Sequence, residues 1–165
     1  MVQLAFQMCR RLGFWPVIDV LGRCNVIADF NEFLVINQFT VTGTKQPRRP
    51  DLVAFINGLP LAVVELKNPA NEQTDVWDAF NQLQTYKDEI CDLFNSNEAL
   101  VVSDGWTARV GSLTANAERM LPWRTIANQD DRPRLQWELE AVVRGFFSPE
   151  LLLDYIRHFV LFEQD

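Results

Sequence analysis

The stretch DLVAFINGLPLAVVELKNP, residues 51–69, decides the fold of this 165-residue chain. Two apolar, β-prone runs, Asp51–Ile56 and Leu61–Leu66, flank the segment Asn57–Pro60. The Asn-Gly pair in that segment is the strongest short hairpin signal, because both residues tolerate the positive φ of a tight turn. A proline closes the stretch, and proline cannot donate to a strand ladder. We therefore expect a β-hairpin over residues 51–67.

A strand and a helix are expected on either side of this hairpin. Residues 33–41 are rich in β-branched and aromatic side chains, which favours a strand. Residues 74–94 gather their apolar side chains into one arc at 100° per residue, which predicts a helix. Lys87 falls inside that arc. Either it snorkels to solvent or it pairs with a buried carboxylate.

The second half of the chain predicts two more strands and a closing helix. The strands are expected at 98–103 and 108–113, and residues 122–134 are irregular. Ser148 followed by proline and an acid is a typical helix start, with the serine hydroxyl as N-cap. The helix it opens, 151–162, is apolar nearly all round, and such a helix is either buried in this domain or covered by something else that packs on it.

Length and composition indicate one ordinary globular domain. The chain is 48% hydrophobic and 22% charged, and a single domain typically has ~100–200 residues. We treat residues 1–165 as one domain, with residues 1–28 unassigned. Because the chain stops just after the last expected helix, we expect it to be a fragment of a longer protein. The apolar runs are shorter than the ~20 residues of a membrane span, and no signal peptide is recognised.

Charge and cysteine content narrow the classes of partner and site. The net charge of −7 argues against tight, sequence-independent DNA binding by this chain alone, since such binding neutralises phosphates with Lys and Arg. A local basic site, or DNA delivered by a partner, stays open. Cys9, Cys24 and Cys91 form no CxxC pair, and with His158 they do not complete a zinc site. Reduced thiols in a cytoplasmic protein are expected.

Charged residues mark both ends of the expected hairpin. Pro50-Asp51 opens it, and Glu65-Leu66-Lys67 follows after thirteen residues. Strand side chains alternate, so Glu65 and Lys67 share one face, and the hairpin returns Asp51 toward Glu65. Two carboxylates suit Mg²⁺, and a bound Mg²⁺ polarises a phosphoryl oxygen. The Lys67 ammonium could orient or deprotonate a water, or it could stabilise the charge that develops on the phosphate. Phosphodiester hydrolysis uses all three groups.

The same residues have more ordinary explanations. An E-x-K triplet on a strand is commonly a solvated ion pair. Here its neighbours are apolar, which favours a position near the core, where charges need a partner or a metal. Gln82 and Tyr86 lie four residues apart on the expected helix and flank its apolar arc. They are either boundary residues or groups that reach the site.

Taken together, these motifs resemble the PD-(D/E)xK nucleases with the QxxxY motif of the RecB-like branch. The sequence around these motifs is similar to the N-terminal nuclease domain of the restriction (R) subunit of type I restriction-modification enzymes. The similar segments are Phe33–Val41, Arg48–Val53, Asn57–Leu61, Glu65–Pro69, Trp77–Tyr86, Ser103–Gly105 and Ala108–Thr114.

The resemblance implies an α/β fold with a restriction-endonuclease-like core, a mixed β-sheet flanked by helices. It implies a Mg²⁺-dependent DNA endonuclease in which Asp51, Glu65 and the Leu66 carbonyl hold the metal and Lys67 is the catalytic lysine. Gln82, Tyr86, Arg48 and Arg49 are expected to support the site or contact DNA.

The resemblance also implies partners. In the family this domain precedes an ATP-driven DNA translocase in the same chain, and the R subunit joins modification and specificity subunits on double-stranded DNA. No G-x-x-x-x-G-K-[ST] occurs here, so this chain itself is not expected to bind ATP.

One departure from the family pattern leaves other functions open. The family usually has an acidic residue on a helix ahead of the first strand, and residues 1–28 do not resemble that region, although Asp29 or Glu32 could substitute. The chain could instead be a catalytically degenerate module that docks DNA or partner subunits. A third interpretation is a nuclease of the same fold that serves repair or junction cutting.

Overall fold

The structure, a computed structural model, describes residues 31–43, 45–68, 70, 74–127 and 137–160. A five-stranded mixed sheet in the order β1-β2-β3-β4-β5 carries helices on both faces. The strands are β1 (Phe33–Asn37), β2 (Leu52–Ile56), β3 (Leu59–Leu66), β4 (Ala99–Ser103) and β5 (Ala108–Gly111). The helices are α1 (Val76–Glu89), α2 (Glu138–Ala141, continued by a π-helical stretch Val142–Phe146) and α3 (Pro149–His158), with 3₁₀ turns at Cys91–Phe94 and Ala117–Arg119. The expected mixed sheet flanked by helices is confirmed.

The expected hairpin is formed by β2 and β3. Asn57 and Gly58 have φ of 52° and 81°, the two positive values that a type I′ turn requires. The Asn57 side chain also accepts a hydrogen bond from the Glu32 amide at 2.9 Å, so the turn is tied to the start of β1. The Asn-Gly pair thus fixes the turn and the pairing next to it, and an irregularity between Ala54 and Phe55 then shifts the antiparallel register by one residue.

The centre of the sheet is a parallel pair, β3 and β4, connected through α1. Leu66 is paired with Ser103, and the Lys67 amide donates to the Ser103 carbonyl at 2.7 Å. The carboxyl ends of the two strands therefore meet at one edge of the sheet. In open α/β sheets that edge is the usual place for a functional site.

Two apolar layers fix which side chains face which helix. Val63 lies on the face covered by α1, and Val64 lies on the face covered by α2 and α3. Because side chains alternate along β3, Glu65 shares the α1 face and Leu66 packs in the opposite layer. The α1 helix begins with a capping box at Asp75, whose side chain accepts from the Trp77 and Asp78 amides.

The first strand and the first helix both end earlier than expected. β1 stops at Asn37 because Gln38 adopts a left-handed conformation, with φ of 52°. Val41 forms instead an isolated antiparallel bridge with Arg48. α1 ends at Glu89, because Ile90 is not helical (φ −130°).

The C-terminal part also differs from expectation. β5 stops at Gly111 rather than at residue 113, and α2 was not anticipated at all. α3 is amphipathic, with Leu152 and Leu153 buried and its last turn exposed, so it is buried on one face and open on the other; residues 161 and 162 of the expected helix lie outside the described residues. The Ser148 side chain makes no capping hydrogen bond, although proline does occupy the first turn.

Lys87 neither snorkels to solvent nor pairs with a buried carboxylate within the described part of the chain. Its ammonium donates to the Leu113 carbonyl and to the Gln84 side chain. Burial lowers the pKa of Lys87. The lysine therefore joins α1 to the segment after β5 through neutral acceptors.

Some sequence-based expectations lie outside the described residues. These are the unassigned segment 1–28, Cys9, Cys24, Asp29 and residues 128–134 of the irregular segment. Cys91 is a free, exposed thiol. Among the described residues, no helix combines the length and apolar character needed to cross a membrane.

Gly43→Ala is expected to lower the free energy of unfolding by about 2 kcal/mol, within the range for over-packing. A Cβ at this position would lie 2.0 Å from the Glu89 carbonyl oxygen and 2.8 Å from Ile90 Cγ2. The loop before β2 would then lose its close contact with the end of α1. Urea unfolding measures the change, and Thr42→Ala, at the exposed neighbouring position, is the control. Equal stability of the two variants would contradict this packing.

Candidate active site

Asp51 stands immediately before β2, and both of its carboxylate oxygens are held. Oδ2 accepts from the Leu66 amide at 2.8 Å, and Oδ1 accepts from Gln38 Nε2 at 2.6 Å. Burial raises the pKa of Asp51, while these two hydrogen bonds oppose the rise. The hairpin therefore returns the first acid to the end of β3, as the sequence predicts.

Glu65 is a buried carboxylate near the end of β3, with a relative exposure of 3%. Its Oε1 lies 3.4 Å from Lys67 Nζ, and its Oε2 is buried with no hydrogen-bond partner among the residues that the structure describes. Burial first, and then the negative charge of Asp51, raise the pKa of Glu65 to about 7. Burying a carboxylate oxygen without a hydrogen-bond partner, beside a second acid, costs free energy, and a bound cation would reduce that cost.

A chain of polar side chains leads from Lys67 to α1. The Lys67 ammonium donates to Gln82 Oε1, and Gln82 Nε2 donates to the Tyr86 hydroxyl. Tyr86 is buried, and burial raises its pKa. Gln82 and Tyr86, one helical turn apart, therefore reach the site through Lys67 rather than lying at an unrelated boundary.

The two arginines of the preceding loop are placed differently. Arg48 pairs with Glu89 at the end of α1, and this hydrogen bond lowers the pKa of Glu89. Arg49 is exposed, and its Nε donates to the Gln38 carbonyl at 3.4 Å. Arg48 thus fastens the loop, and Arg49 is the more accessible cation. A DNA contact by either residue stays a prediction.

The structure does not bring Glu32 to the site. Its backbone is bonded to Asn57 at the turn of the hairpin, whereas Asp51 is at the other end of β2. Two participants were missed by sequence reasoning, Gln38 and Glu89. Glu89 has no recognisable sequence signal, and the only signal for Gln38 is a polar pair that interrupts an apolar run.

The donor set fits a magnesium-type cation. Asp51 and Glu65 supply carboxylate oxygens, and Mg²⁺ is usually bound by one or two carboxylates with several waters. Within the described ranges no group of three His, Cys, Asp or Glu side chains is placed to hold a metal. The Leu66 carbonyl as a further ligand stays a prediction.

Comparison with known proteins identifies the family of this chain. Residues 17–119 match the family model described as type I restriction enzyme R protein N terminus. The chain is 49% identical over 138 residues, 82% of its length, to the type I restriction enzyme HindI endonuclease subunit of Haemophilus influenzae. It is 34% identical over 153 residues, 81% of its length, to the putative type I restriction enzyme MjaIXP endonuclease subunit of Methanocaldococcus jannaschii.

These relatives are much longer proteins. The matched part covers 13% and 15% of the two relatives. A third relative, the type I restriction enzyme EcoprrI endonuclease subunit of Escherichia coli, is 29% identical over 88% of this chain and is covered to 46% of its own length. On the family match and these identities, this chain belongs to the family of type I restriction enzyme R protein N termini.

Proposed function

We propose that this domain is a Mg²⁺-dependent DNA endonuclease that hydrolyses phosphodiester bonds within a type I restriction enzyme. The observation that carries the proposal is the buried Oε2 of Glu65, which has no partner within the described part of the chain and lies at the strand end that also positions Asp51 and Lys67. Family membership and the endonuclease names of the relatives support it.

Each of the three charged residues has a role that its surroundings support. Asp51 and Glu65 would hold the metal, which when bound polarises the phosphoryl oxygen and lowers the pKa of a bound water. Lys67 has three N–H donors, two of which are directed at Glu65 and Gln82. The third is free, among described residues, to donate to a phosphate oxygen as negative charge develops there.

The pair Gln82 and Tyr86 positions the lysine. A lysine side chain has four rotatable bonds, and holding its ammonium in one place costs conformational entropy. The hydrogen bond from Lys67 to Gln82, itself bonded to Tyr86, keeps the ammonium beside Glu65 before substrate arrives. Preorganised charge of this kind is the main way an enzyme lowers the barrier of phosphoryl transfer.

The substrate and partners follow from the same proposal. The net charge of −7 suits a domain that receives double-stranded DNA from other parts of the enzyme rather than capturing it alone. We propose that an ATP-driven translocase domain of the full-length chain, together with modification and specificity subunits, delivers the DNA. The isolated domain is then expected to cleave weakly and without sequence preference.

A degenerate docking module is the second candidate, and one observation favours it. Residues 1–28 do not resemble the region in which the family carries an acid ahead of the first strand, and Glu32 lies at the end of the hairpin away from Asp51. A docking module needs no metal. Carboxylate-dependent binding of Mg²⁺ or Mn²⁺ in calorimetry therefore separates the two candidates.

Asp51→Asn in the assembled restriction enzyme is expected to reduce DNA cleavage at least about 100-fold, because one metal-binding oxygen loses its charge. ATP hydrolysis by the same preparation is expected to stay unchanged, since it would depend on a different domain. Both rates are measured on the same plasmid substrate. Glu118→Gln, which neutralises an exposed acid, is the control and should cleave normally. Unchanged cleavage by Asp51→Asn would refute the proposed function.

A further inference from the structure

Gln38 holds an unusual backbone conformation next to the site. Its φ of 52° lies in the left-handed region, which glutamine rarely adopts. Non-glycine residues in this region are strained, and such residues persist where the surrounding structure over-determines them. The conformation ends β1 and turns the side chain of Gln38 toward Asp51.

Three of the four polar groups of Gln38 are hydrogen-bonded to the segment that contains Asp51. Its backbone N–H donates to the Asp51 carbonyl at 2.9 Å, and its side-chain Nε2 donates to Asp51 Oδ1 at 2.6 Å. Its own carbonyl accepts from Arg49 Nε at 3.4 Å. A turn that only had to end β1 would need none of the side-chain contact, and glycine would adopt it without strain.

The side-chain contact fixes the orientation of the Asp51 carboxylate. The Leu66 amide holds Oδ2 and Gln38 holds Oδ1, so rotation of the carboxylate would break one bond or the other. An ionised carboxylate has about four acceptor positions, so each oxygen keeps a lone pair for a further ligand. Substitution of residues that orient metal-binding carboxylates in this way typically lowers metal affinity 10–100-fold.

We infer that Gln38 is a positioning residue that sets the Asp51 carboxylate for binding a divalent cation, an inference that rests on the proposed function. Gln38 does not touch the metal or the DNA. It presents Asp51 in one orientation, so that the cation binds without first ordering its ligand.

Two variants separate the side chain of Gln38 from its backbone. Gln38→Met keeps the length of the side chain and the strained φ but removes the donor. Gln38→Gly removes the donor and relieves the strain. Both variants are expected to weaken Mn²⁺ binding about 10- to 100-fold, while Gln38→Gly unfolds at the same urea concentration as the wild type or a higher one.

The probe is Mn²⁺ alone, titrated without nucleotide into the full-length chain and followed by the EPR signal of the free ion. The Mn²⁺ that binds to the wild type but not to Asp51→Asn is assigned to this site. Gln46→Gly, at an exposed position of the same loop, is the matched control and should bind as the wild type does. In the assembled enzyme the Mg²⁺ concentration for half-maximal cleavage should rise while the rate at saturating Mg²⁺ is largely recovered.

Each outcome bears on one proposal or on both. Wild-type Mn²⁺ affinity in Gln38→Gly and Gln38→Met, with binding lost in Asp51→Asn, overturns the role of Gln38 and leaves the proposed function standing. A lowered maximal rate with an unchanged Mg²⁺ requirement also overturns it, because a structural defect only reduces the active fraction. Mn²⁺ binding and cleavage that survive Asp51→Asn overturn both proposals.

Discussion

Lys67→Ala is expected to reduce DNA cleavage by the assembled enzyme about 1,000-fold, with ATP hydrolysis retained. The lysine is half-buried, contacts Glu65 at 3.4 Å and is held by Gln82, so no solvent cation can take its place in the same geometry. Loss of one preorganised charge or general acid–base group typically costs 10²–10⁴-fold in rate. Cleavage under single-turnover conditions measures the effect on the chemical step.

Lys87→Met is the matched control for this variant. Lys87 is also half-buried, but its ammonium bonds to the Leu113 carbonyl, away from the carboxylate pair. Methionine keeps the apolar stem and removes the charge. Cleavage close to the wild-type rate is expected. If Lys87→Met lost as much cleavage as Lys67→Ala, the loss in Lys67→Ala would reflect the removal of a half-buried lysine in general and not a role of Lys67 in the chemical step.

Glu65→Gln is expected to stabilise the metal-free domain at alkaline pH while abolishing cleavage. The pKa of Glu65 in the folded state is about 7, above its ordinary value of 4.5. A carboxyl with a raised folded pKa keeps its proton longer in the folded state than in the unfolded state, so stability falls as pH rises from about 4.5 to about 7. Above that range the folded protein carries the full cost of a buried charge.

Glutamine carries no such cost, so the free energy of unfolding of Glu65→Gln exceeds that of the wild type by an amount that grows with pH. Between pH 5 and pH 8 in EDTA we expect it to grow by about 2 kcal/mol, from about 1.4 kcal/mol for each unit of pKa shift. Urea unfolding at the two pH values measures it, and added Mg²⁺ should restore part of the wild-type stability by binding the folded state. Parallel pH dependences for the two proteins would contradict the shifted pKa.

The sequence was most informative where a local rule and the tertiary structure agree. Asn57-Gly58 fixes its own turn by its tolerance of positive φ, and this turn starts the hairpin that brings Asp51 to Leu66, after a one-residue register shift between Ala54 and Phe55. Strict alternation along β3 then places Glu65 and Lys67 together. The approach of the three charged residues was therefore predictable from their spacing, although the register shift was not, and both the chemistry of the residues and the resemblance to a family suggested their roles.

The errors have a common physical origin in contacts between residues distant in the chain. Residues 39–41 are as β-prone as those of β1, but Gln38 turns the chain because its polar groups bond to the segment 49–51. Arg48 is part of a basic loop by sequence, yet its partner Glu89 lies forty-one residues away. No local pattern reports such pairings, since propensity is a weak prior that tertiary contacts override.

The parallel pairing of β3 with β4 divides the reactive groups between two parts of the molecule with unequal resistance to opening. Glu65 and Leu66 are paired with β4, while the pairing of their strand with β2 ends at Val64, so their displacement requires the β3–β4 pair to open. Asp51 stands just outside β2, and the loop before it is held by the bridge between Val41 and Arg48, by the Gln38 amide and by side-chain bonds. On warming, we therefore expect the loop that leads into Asp51 to open at a lower temperature than the β3–β4 pair.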